Sequence, residues 1–167
     1  MSTDVTEQSL WRPLHRLTDY IDSEIGRVYA EMPDARGVRP TWVLEILRLD
    51  ARGPMTIRAL ADSVGRTHSA LSQKVAAMAK AGLVELTPGP DARSRHVVLT
   101  ERARGLVDRM RAEWLATEET LAEIEAEAAY PLSRVVHDLE EVLARKGFYE
   151  RLRERLAEEP RSGPTSR

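Results

Sequence analysis

The segment from Thr67 to Lys80 carries polar side chains whose types and spacing could form a hydrogen-bonding surface. If it is a helix, Leu71, Val75 and Met78 share one face and point toward a core, because residues three and four apart lie side by side. The residues then left at or near the outside are Thr67, His68, Ser69, Ser72, Gln73 and Lys80. A glutamine amide can pair with adenine through two hydrogen bonds, serine can meet several base edges, and a helix N-terminus favours phosphate. Taken alone, the segment equally fits a solvated helix of an unrelated helical domain.

A helix-turn-helix would place this segment on the surface of a small domain. The motif needs a small residue where its helices meet, a glycine at the turn, and an apolar residue in the second helix. Ala61, Gly65 and Leu71 have these types at spacings of four and six residues. The sequence therefore predicts one short helix from Thr56 to the turn at Gly65 and a second helix from Thr67 to Gly82.

A β-hairpin is predicted directly after these two helices. Residues 83–87 alternate between apolar and polar types, residues 88–91 are typical of a turn, and residues 96–100 form a second strand-like run. The tip of this hairpin carries Arg93 and Arg95. The helix pair, the hairpin and the basic tip together are a much stronger indication of DNA binding than any one of them.

Other kinds of chemistry find little support in the sequence. The four histidines, at 15, 68, 96 and 137, form no i, i+4 pair, and the chain has no cysteine. Disulfides, zinc-thiolate sites and thiol redox sensing are thereby excluded. Asp91, Ser94 and His96 have the residue types of a catalytic triad, but they crowd into one hairpin without a strand-turn-helix elbow. We expect neither an enzyme nor a metal site nor a bound cofactor.

The remaining elements are predicted to be helices on both sides of this lobe. We expect an N-terminal helix over 8–32, a DNA-binding lobe over 41–100 and C-terminal helices over 101–158, with disordered ends at 1–7 and 159–167. The outer helices carry apolar stripes that suit pairing between two chains, although the stripes equally fit packing onto their own domain. The predicted fold class is mainly α with a small β-hairpin wing, a winged helix-turn-helix flanked by dimerisation helices.

Composition sets the broad class of the protein. The chain has 167 residues, 42% of them hydrophobic and 31% charged, and a net charge of −2. These values are typical of one globular domain with helical extensions. The N-terminus lacks a signal pattern and no run approaches the ~18 apolar residues of a membrane helix, so we expect a cytoplasmic protein without membrane contact.

These motifs resemble, as a set, those of the MarR family of winged helix-turn-helix transcriptional regulators. Residues 56–65 and 67–75 are similar to the family's helix-turn-helix, and residues 82–85 to its entry into the wing. Residues 91–95 are similar to its Asp-x-Arg-Ser/Thr wing motif, and residues 99–101 to the start of its next helix. The flanking helices agree in order and length, so the resemblance spans nearly the whole chain.

The resemblance implies a homodimer that binds an inverted-repeat operator on double-stranded DNA, most often as a repressor. Each recognition helix would enter a major groove, and each wing would reach toward the adjacent minor groove. The DNA-contacting residues implied are Thr67, His68, Ser69, Ser72, Gln73, Lys74, Arg93 and Arg95, with Asp91 orienting its basic neighbours.

The resemblance also implies a small aromatic or phenolic effector. Family members often bind one between the dimerisation helices and the DNA-binding lobe, and His15, Arg16, Tyr20 and Trp42 would lie near such a cleft. Two other functions stay open at this point. A winged-helix protein-interaction module would give a flat, salt-independent response in a DNA-binding assay. A metal-responsive regulator would change its DNA affinity with metal, but the absence of cysteine argues against it.

Overall fold

The computed structural model describes residue 4 and residues 9–89 and 94–158, which form eight α-helices, two short 3-10 helices (Pro33–Ala35 and Pro40–Trp42) and one small antiparallel sheet. The helices are α1 (Arg12–Ala30), α2 (Val43–Arg52), α3 (Ile57–Ser63), α4 (His68–Lys80), α5 (Glu101–Arg104), α6 (Val107–Glu127), α7 (Leu132–Arg145) and α8 (Phe148–Glu158). The strands are β1 (Met55–Thr56), β2 (Val84–Pro88) and β3 (Arg95–Leu99). This confirms the predicted fold class. The predicted disordered ends, apart from residue 4, lie outside the described residues.

Hydroxyl side chains fix where the two helices of the helix-turn-helix begin. The Thr56 hydroxyl oxygen accepts a hydrogen bond of 3.1 Å from the Ala59 amide at the start of α3. The Thr67 hydroxyl oxygen accepts one of 3.3 Å from the Ala70 amide at the start of α4. Each bond satisfies one of the amides that the first turn of a helix leaves without an internal partner.

A glycine in the left-handed region ends each of these helices. After α3, Gly65 has a φ of 64°, and the Arg66 amide donates a bond of 3.0 Å back to the Ala61 carbonyl. This is the Schellman arrangement, which needs positive φ at the glycine position. After α4, Gly82 repeats it with a φ of 70°. The tight turn that orients α4 against α3 therefore depends on Gly65.

Strand β3 lies in the middle of the sheet. It pairs antiparallel with β2 in the predicted hairpin, from Val84 opposite Leu99 to Pro88 opposite Arg95. It also pairs antiparallel with β1, a strand of two residues that the sequence pattern did not predict. The hairpin is therefore joined through β1 to the start of α3, which positions the wing relative to the helix-turn-helix.

The helical segment that follows the wing is divided in two. The Thr100 hydroxyl caps its start, accepting a bond of 3.2 Å from the Ala103 amide. However, α5 ends at Arg104, and α6 begins at Val107 after a turn at Gly105. Glycine is a poor helix former, and the buried side chain of Leu106 anchors the turn in the core.

The chain divides into two compact units, and the first comprises residues 1–117. Its largest fully buried side chains are Ile46, Leu60, Leu71, Met78, Leu83 and Met110. Tyr29 joins α1 to this core, since it is buried and its hydroxyl donates a bond of 2.7 Å to Glu113 on α6. Burial, and then this carboxylate, raise the pKa of Tyr29 well above its ordinary value, which keeps the hydroxyl protonated as a donor.

The second compact unit comprises residues 118–167, and none of its described residues is buried. Along α7, the apolar residues Leu132, Val135, Val136, Leu139 and Leu143 are each 39–42% exposed. At the start of α7, the carboxylate of Glu125 accepts bonds from the Ser133 amide at 2.7 Å and from its hydroxyl at 2.6 Å. No helix in the described part of the chain is long and apolar enough to cross a membrane.

Candidate nucleic-acid interface

Helix α4 has one buried face and one exposed polar face. Leu71, Val75 and Met78 are at most 1% exposed and close the core of the lobe, as their spacing predicted. The predicted contact residues Thr67, His68, Ser69 and Gln73 are exposed, and Ser72 is half-buried. The structure therefore brings these five residues together on the first two turns of one helix. The short hydroxyl side chains of Thr67, Ser69 and Ser72 leave the backbone of α4 accessible for close approach by a groove of DNA.

The start of α4 combines this polar surface with the partial positive charge of its first backbone amides. Thr67 uses its hydroxyl oxygen to accept from Ala70, which leaves the amides of His68 and Ser69 at an exposed helix end. The first amides of a helix carry partial positive charge and suit a phosphate oxygen. Exposed basic side chains at Arg58, Arg66 and Lys80 lie on the same helix pair. The helix pair thus combines positive charge with hydrogen-bonding side chains, which suits a polyanion such as DNA.

Lys74 has a different environment from the one expected for a DNA contact. Its ammonium group donates one bond of 2.7 Å to the Glu45 carboxylate and another of 2.7 Å to the Thr41 carbonyl. The Lys74 side chain is only 19% exposed, and that of Glu45 is fully buried. The structure therefore directs Lys74 toward α2, away from the surface on which Gln73 lies.

Glu45 is a residue that the sequence analysis did not single out. It lies on α2, three residues after buried Trp42 and four before buried Leu49. At a period of 3.6 residues these three positions share one helix face, so Glu45 is an acid on an apolar stripe. That placement was a readable signal of a buried carboxylate that needs a basic partner.

The wing is described on both sides of its tip. The Gly89 amide donates a bond of 2.8 Å to the Ser94 carbonyl, and a β-carbon on Gly89 would clash with the Ser94 hydroxyl oxygen. Arg95 is exposed, and its guanidinium donates a bond of 3.1 Å to the Leu86 carbonyl on the neighbouring strand. Arg93 and Asp91, the predicted minor-groove residue and its neighbour, lie outside the described residues.

The residues expected near an effector occupy two different environments. His15, Arg16 and Tyr20 are exposed on α1, whereas Trp42 is buried in the core, with the guanidinium of Arg39 5.3 Å from the centre of its ring system. A surface pocket of about 250 Å³ is lined by Leu49, Asp50, Gly53, Pro54, Val97, Val98, Leu99 and Arg104, none of which belongs to the predicted set. Over the described ranges, no three histidines and carboxylates form a group that could hold a metal ion.

Comparison with known proteins adds a family model and several solved structures. A family model described as HVO_A0114 matches residues 43–103, which contain the helix-turn-helix and the wing. No curated protein matches the chain.

Three of the similar structures are transcriptional regulators. MosR of M. tuberculosis, in complex with DNA, is 21% identical, with a TM-score of 0.59 over 81% of this chain and 93% of its own. An organohalide-sensing RdhR regulator, in its 2,4-dichlorophenol-bound form, is 14% identical, with a TM-score of 0.64 over 87% of each chain. MarR of E. coli is 17% identical, with a TM-score of 0.52 over 81% of this chain and 97% of its own. The chain has the fold of these MarR-type winged-helix regulators.

Proposed function

We propose that this protein is a sequence-specific DNA-binding transcription regulator whose recognition helix is α4. The observation that carries the proposal is the exposed polar face of α4 over a fully buried apolar face, beside a β-hairpin wing. A helix of this kind fits the major groove and can read base edges through Gln73, Ser72 and Ser69. The DNA complex of the similar MosR supports it, and we assign no catalytic role.

The DNA would be contacted at two levels. Thr67, His68 and the start of α4 would bind phosphate or sugar and fix the register, while Ser69, Ser72 and Gln73 would read bases. Arg93 and Arg95 at the wing would reach the adjacent minor groove and phosphates, with Asp91 orienting them. Lys74 is left out of this contact set because it is paired with buried Glu45.

The protein would act in the cytoplasm as a homodimer on an inverted-repeat operator. The second compact unit buries none of its described residues, and its α7 exposes an apolar stripe, which a second copy of the chain would cover. Two copies would present two recognition helices about one turn of DNA apart, roughly 34 Å. We propose repression as the outcome, because a dimer bound to an operator that overlaps a promoter would block polymerase.

A small aromatic or phenolic effector would release the protein from DNA. The dichlorophenol-bound RdhR regulator supports this ligand class. Exposed His15, Arg16 and Tyr20 on α1 would offer it hydrogen bonds and an aromatic ring. Trp42, which lies in the core, would act on such a ligand only through packing. Titration of a DNA complex with simple phenols, followed by fluorescence anisotropy, tests this part, and complexes that persist at millimolar phenol would contradict it.

Selection from a random pool of duplexes tests the DNA-binding function directly. The full-length protein is incubated with the pool in moderate salt, and retained duplexes are sequenced after several rounds. We expect an enriched inverted repeat with half-site centres about 10 base pairs apart. A pool that stays random through all rounds would contradict the proposed function.

A further inference from the structure

A buried ion pair links the start of α2 to the middle of the recognition helix. Lys74 follows Gln73 directly in the chain, and its ammonium group lies 2.7 Å from the Glu45 carboxylate and 2.7 Å from the Thr41 carbonyl. Both acceptors belong to the beginning of α2 and the turn before it. The two bonds therefore tie one point on α4 to one point on a different element of the same core.

Stability alone does not explain this ion pair. Glu45 is fully buried, and its second carboxylate oxygen has no hydrogen-bond partner among the described residues. A buried carboxylate with an unpartnered oxygen is unfavourable, and well-packed apolar residues in place of a buried pair are often as stable. What the pair supplies beyond apolar packing is direction, because hydrogen bonds fix a distance and an angle.

Contact with phosphate does not explain Lys74 either. An ammonium group has three donors, and two of them are already used within the lobe. Its charge is balanced by Glu45, so moving it to a phosphate would leave a buried carboxylate without a counter-ion. The lysine is therefore far better placed to hold α4 than to touch DNA.

We propose that the Glu45–Lys74 ion pair positions the recognition helix. It fixes the rotation of α4 about its own axis and its distance from α2, so that Ser69, Ser72 and Gln73 meet base edges. The inference rests on the proposed DNA-binding function. Base readout needs side chains held within about 0.5 Å and 10–20° of the productive geometry. Loss of the pair then lowers discrimination between sequences, while attraction to the phosphate backbone stays the same.

The test compares specific and non-specific affinity in variants of the full chain. The probes are one duplex enriched by the wild type and a scrambled duplex of equal length and composition, each titrated at several KCl concentrations. The variants are Lys74→Met and the double variant Glu45→Met with Lys74→Met, which leaves no unpaired charge in the core. Arg52→Met is the control, since it removes one positive charge from an exposed position on α2, outside the proposed DNA-contacting surface. Thermal melts show that each variant is folded.

In Lys74→Met and in the double variant, we expect the ratio of specific to scrambled affinity to fall about tenfold, the size of one lost base contact. The salt slope on the scrambled duplex should be unchanged, and Arg52→Met should keep the wild-type ratio. A fall of about 0.9 in the salt slope of Lys74→Met would identify a phosphate contact and overturn the inference. A double variant with the wild-type ratio would overturn it as well. If the wild type itself prefers no duplex, the proposed function fails, which is a separate result.

Discussion

Gln73 and Lys74 are neighbours in the chain but face opposite environments. The amide of Gln73 is exposed on the outer face of α4, whereas Lys74 points inward to a fully buried carboxylate. Successive residues of a helix are rotated by about 100° around the helix axis. One residue can therefore face a ligand while the next forms hydrogen bonds within the core. The two side chains should therefore give different phenotypes when they are replaced.

Replacement of Gln73 by alanine should reduce specific binding only. A glutamine that pairs with both edge atoms of one adenine contributes about 1–3 kcal/mol to discrimination. We expect Gln73→Ala to lose that amount of binding free energy on the selected duplex. The variant should also show a weaker base preference at one position per half-site. Affinity for a scrambled duplex and the thermal midpoint should stay at wild-type values, because the side chain is exposed. Equal loss on both duplexes would show that Gln73 does not read a base.

The outer face of α4 could be predicted from the sequence, but the buried environment of Lys74 could not. Leu71, Val75 and Met78 repeat at helical spacing, which indicates the buried face and leaves the polar residues outside. The orientation of Lys74 depends on Glu45, which is far away in the sequence and close only in the fold. A helical pattern assigns a lysine beside the exposed face to solvent, and only the tertiary partner reveals otherwise.

Among the elements, the turn between α3 and α4 depends on the backbone of a single residue. Gly65 has a φ of 64°, and a β-carbon there would meet no atom within 4 Å, so the cost of a side chain is backbone strain alone. We expect Gly65→Ala to lower the free energy of unfolding by about 1–2 kcal/mol. Gly65→Asn should lose less, because asparagine tolerates the left-handed region better.

Urea denaturation measures this effect, and Gly26→Ala is a suitable control. Gly26 lies inside α1 with an ordinary φ and with equally open space at its β-carbon. Alanine there should leave stability unchanged or raise it by up to about 1 kcal/mol, since alanine is the better helix former. If Gly65→Ala were as stable as Gly26→Ala, the turn would not depend on positive φ.

The junction between α6 and α7 should be sensitive to acid. Bonds from the Ser133 hydroxyl and amide lower the pKa of Glu125, so the folded carboxylate binds a proton less readily than the unfolded one. Its contribution to stability is therefore present above the unfolded pKa of about 4.3 and is lost as the pH falls through the lower folded pKa.

Thermal midpoints measured from pH 7 to pH 3 reveal this contribution. Between pH 7 and pH 3, the thermal midpoint of the wild type should fall further than that of Glu125→Gln, because this variant has no carboxylate at position 125 to protonate. Glu119→Gln, an exposed change on the same helix, should follow the wild type. Identical pH profiles for the wild type and Glu125→Gln would mean that the bond to Ser133 does not stabilise the junction in solution.

The boundaries of the elements show where sequence patterns stop being informative. The residues that begin and end a helix act locally, so the sequence correctly indicated that α4 starts at Thr67 and stops at Gly82. Strand β1 has only two residues and exists because Met55 pairs with Val97 across the fold. Such a strand has no periodicity to recognise. The apolar spacing on both sides of Gly105 is typical of one continuous helix, whereas the structure has two helices with a turn at Gly105 between them.

At the scale of the whole molecule, we expect a dimer, because the second compact unit buries none of its described residues and leaves the apolar stripe of α7 exposed. Sedimentation in moderate salt should give twice the chain mass of 18.8 kDa. Leu139→Lys places a charge on the apolar stripe of α7 and should shift the protein toward monomer. His137→Lys adds the same side chain on the opposite face, beside Glu141, and should stay dimeric. A monomeric wild type at micromolar concentration would remove the two-fold operator from the proposal.

The central claim, that the outer face of α4 reads DNA sequence, is tested most directly by one ratio. It is the affinity for the selected duplex divided by that for the scrambled duplex, measured at physiological salt. For the wild type we expect at least about 10³. A variant with alanine at Ser69, Ser72 and Gln73 should approach a ratio of one while it keeps its affinity for the scrambled duplex and its fold. A wild-type ratio near one, or a triple variant with the wild-type ratio, would contradict the account.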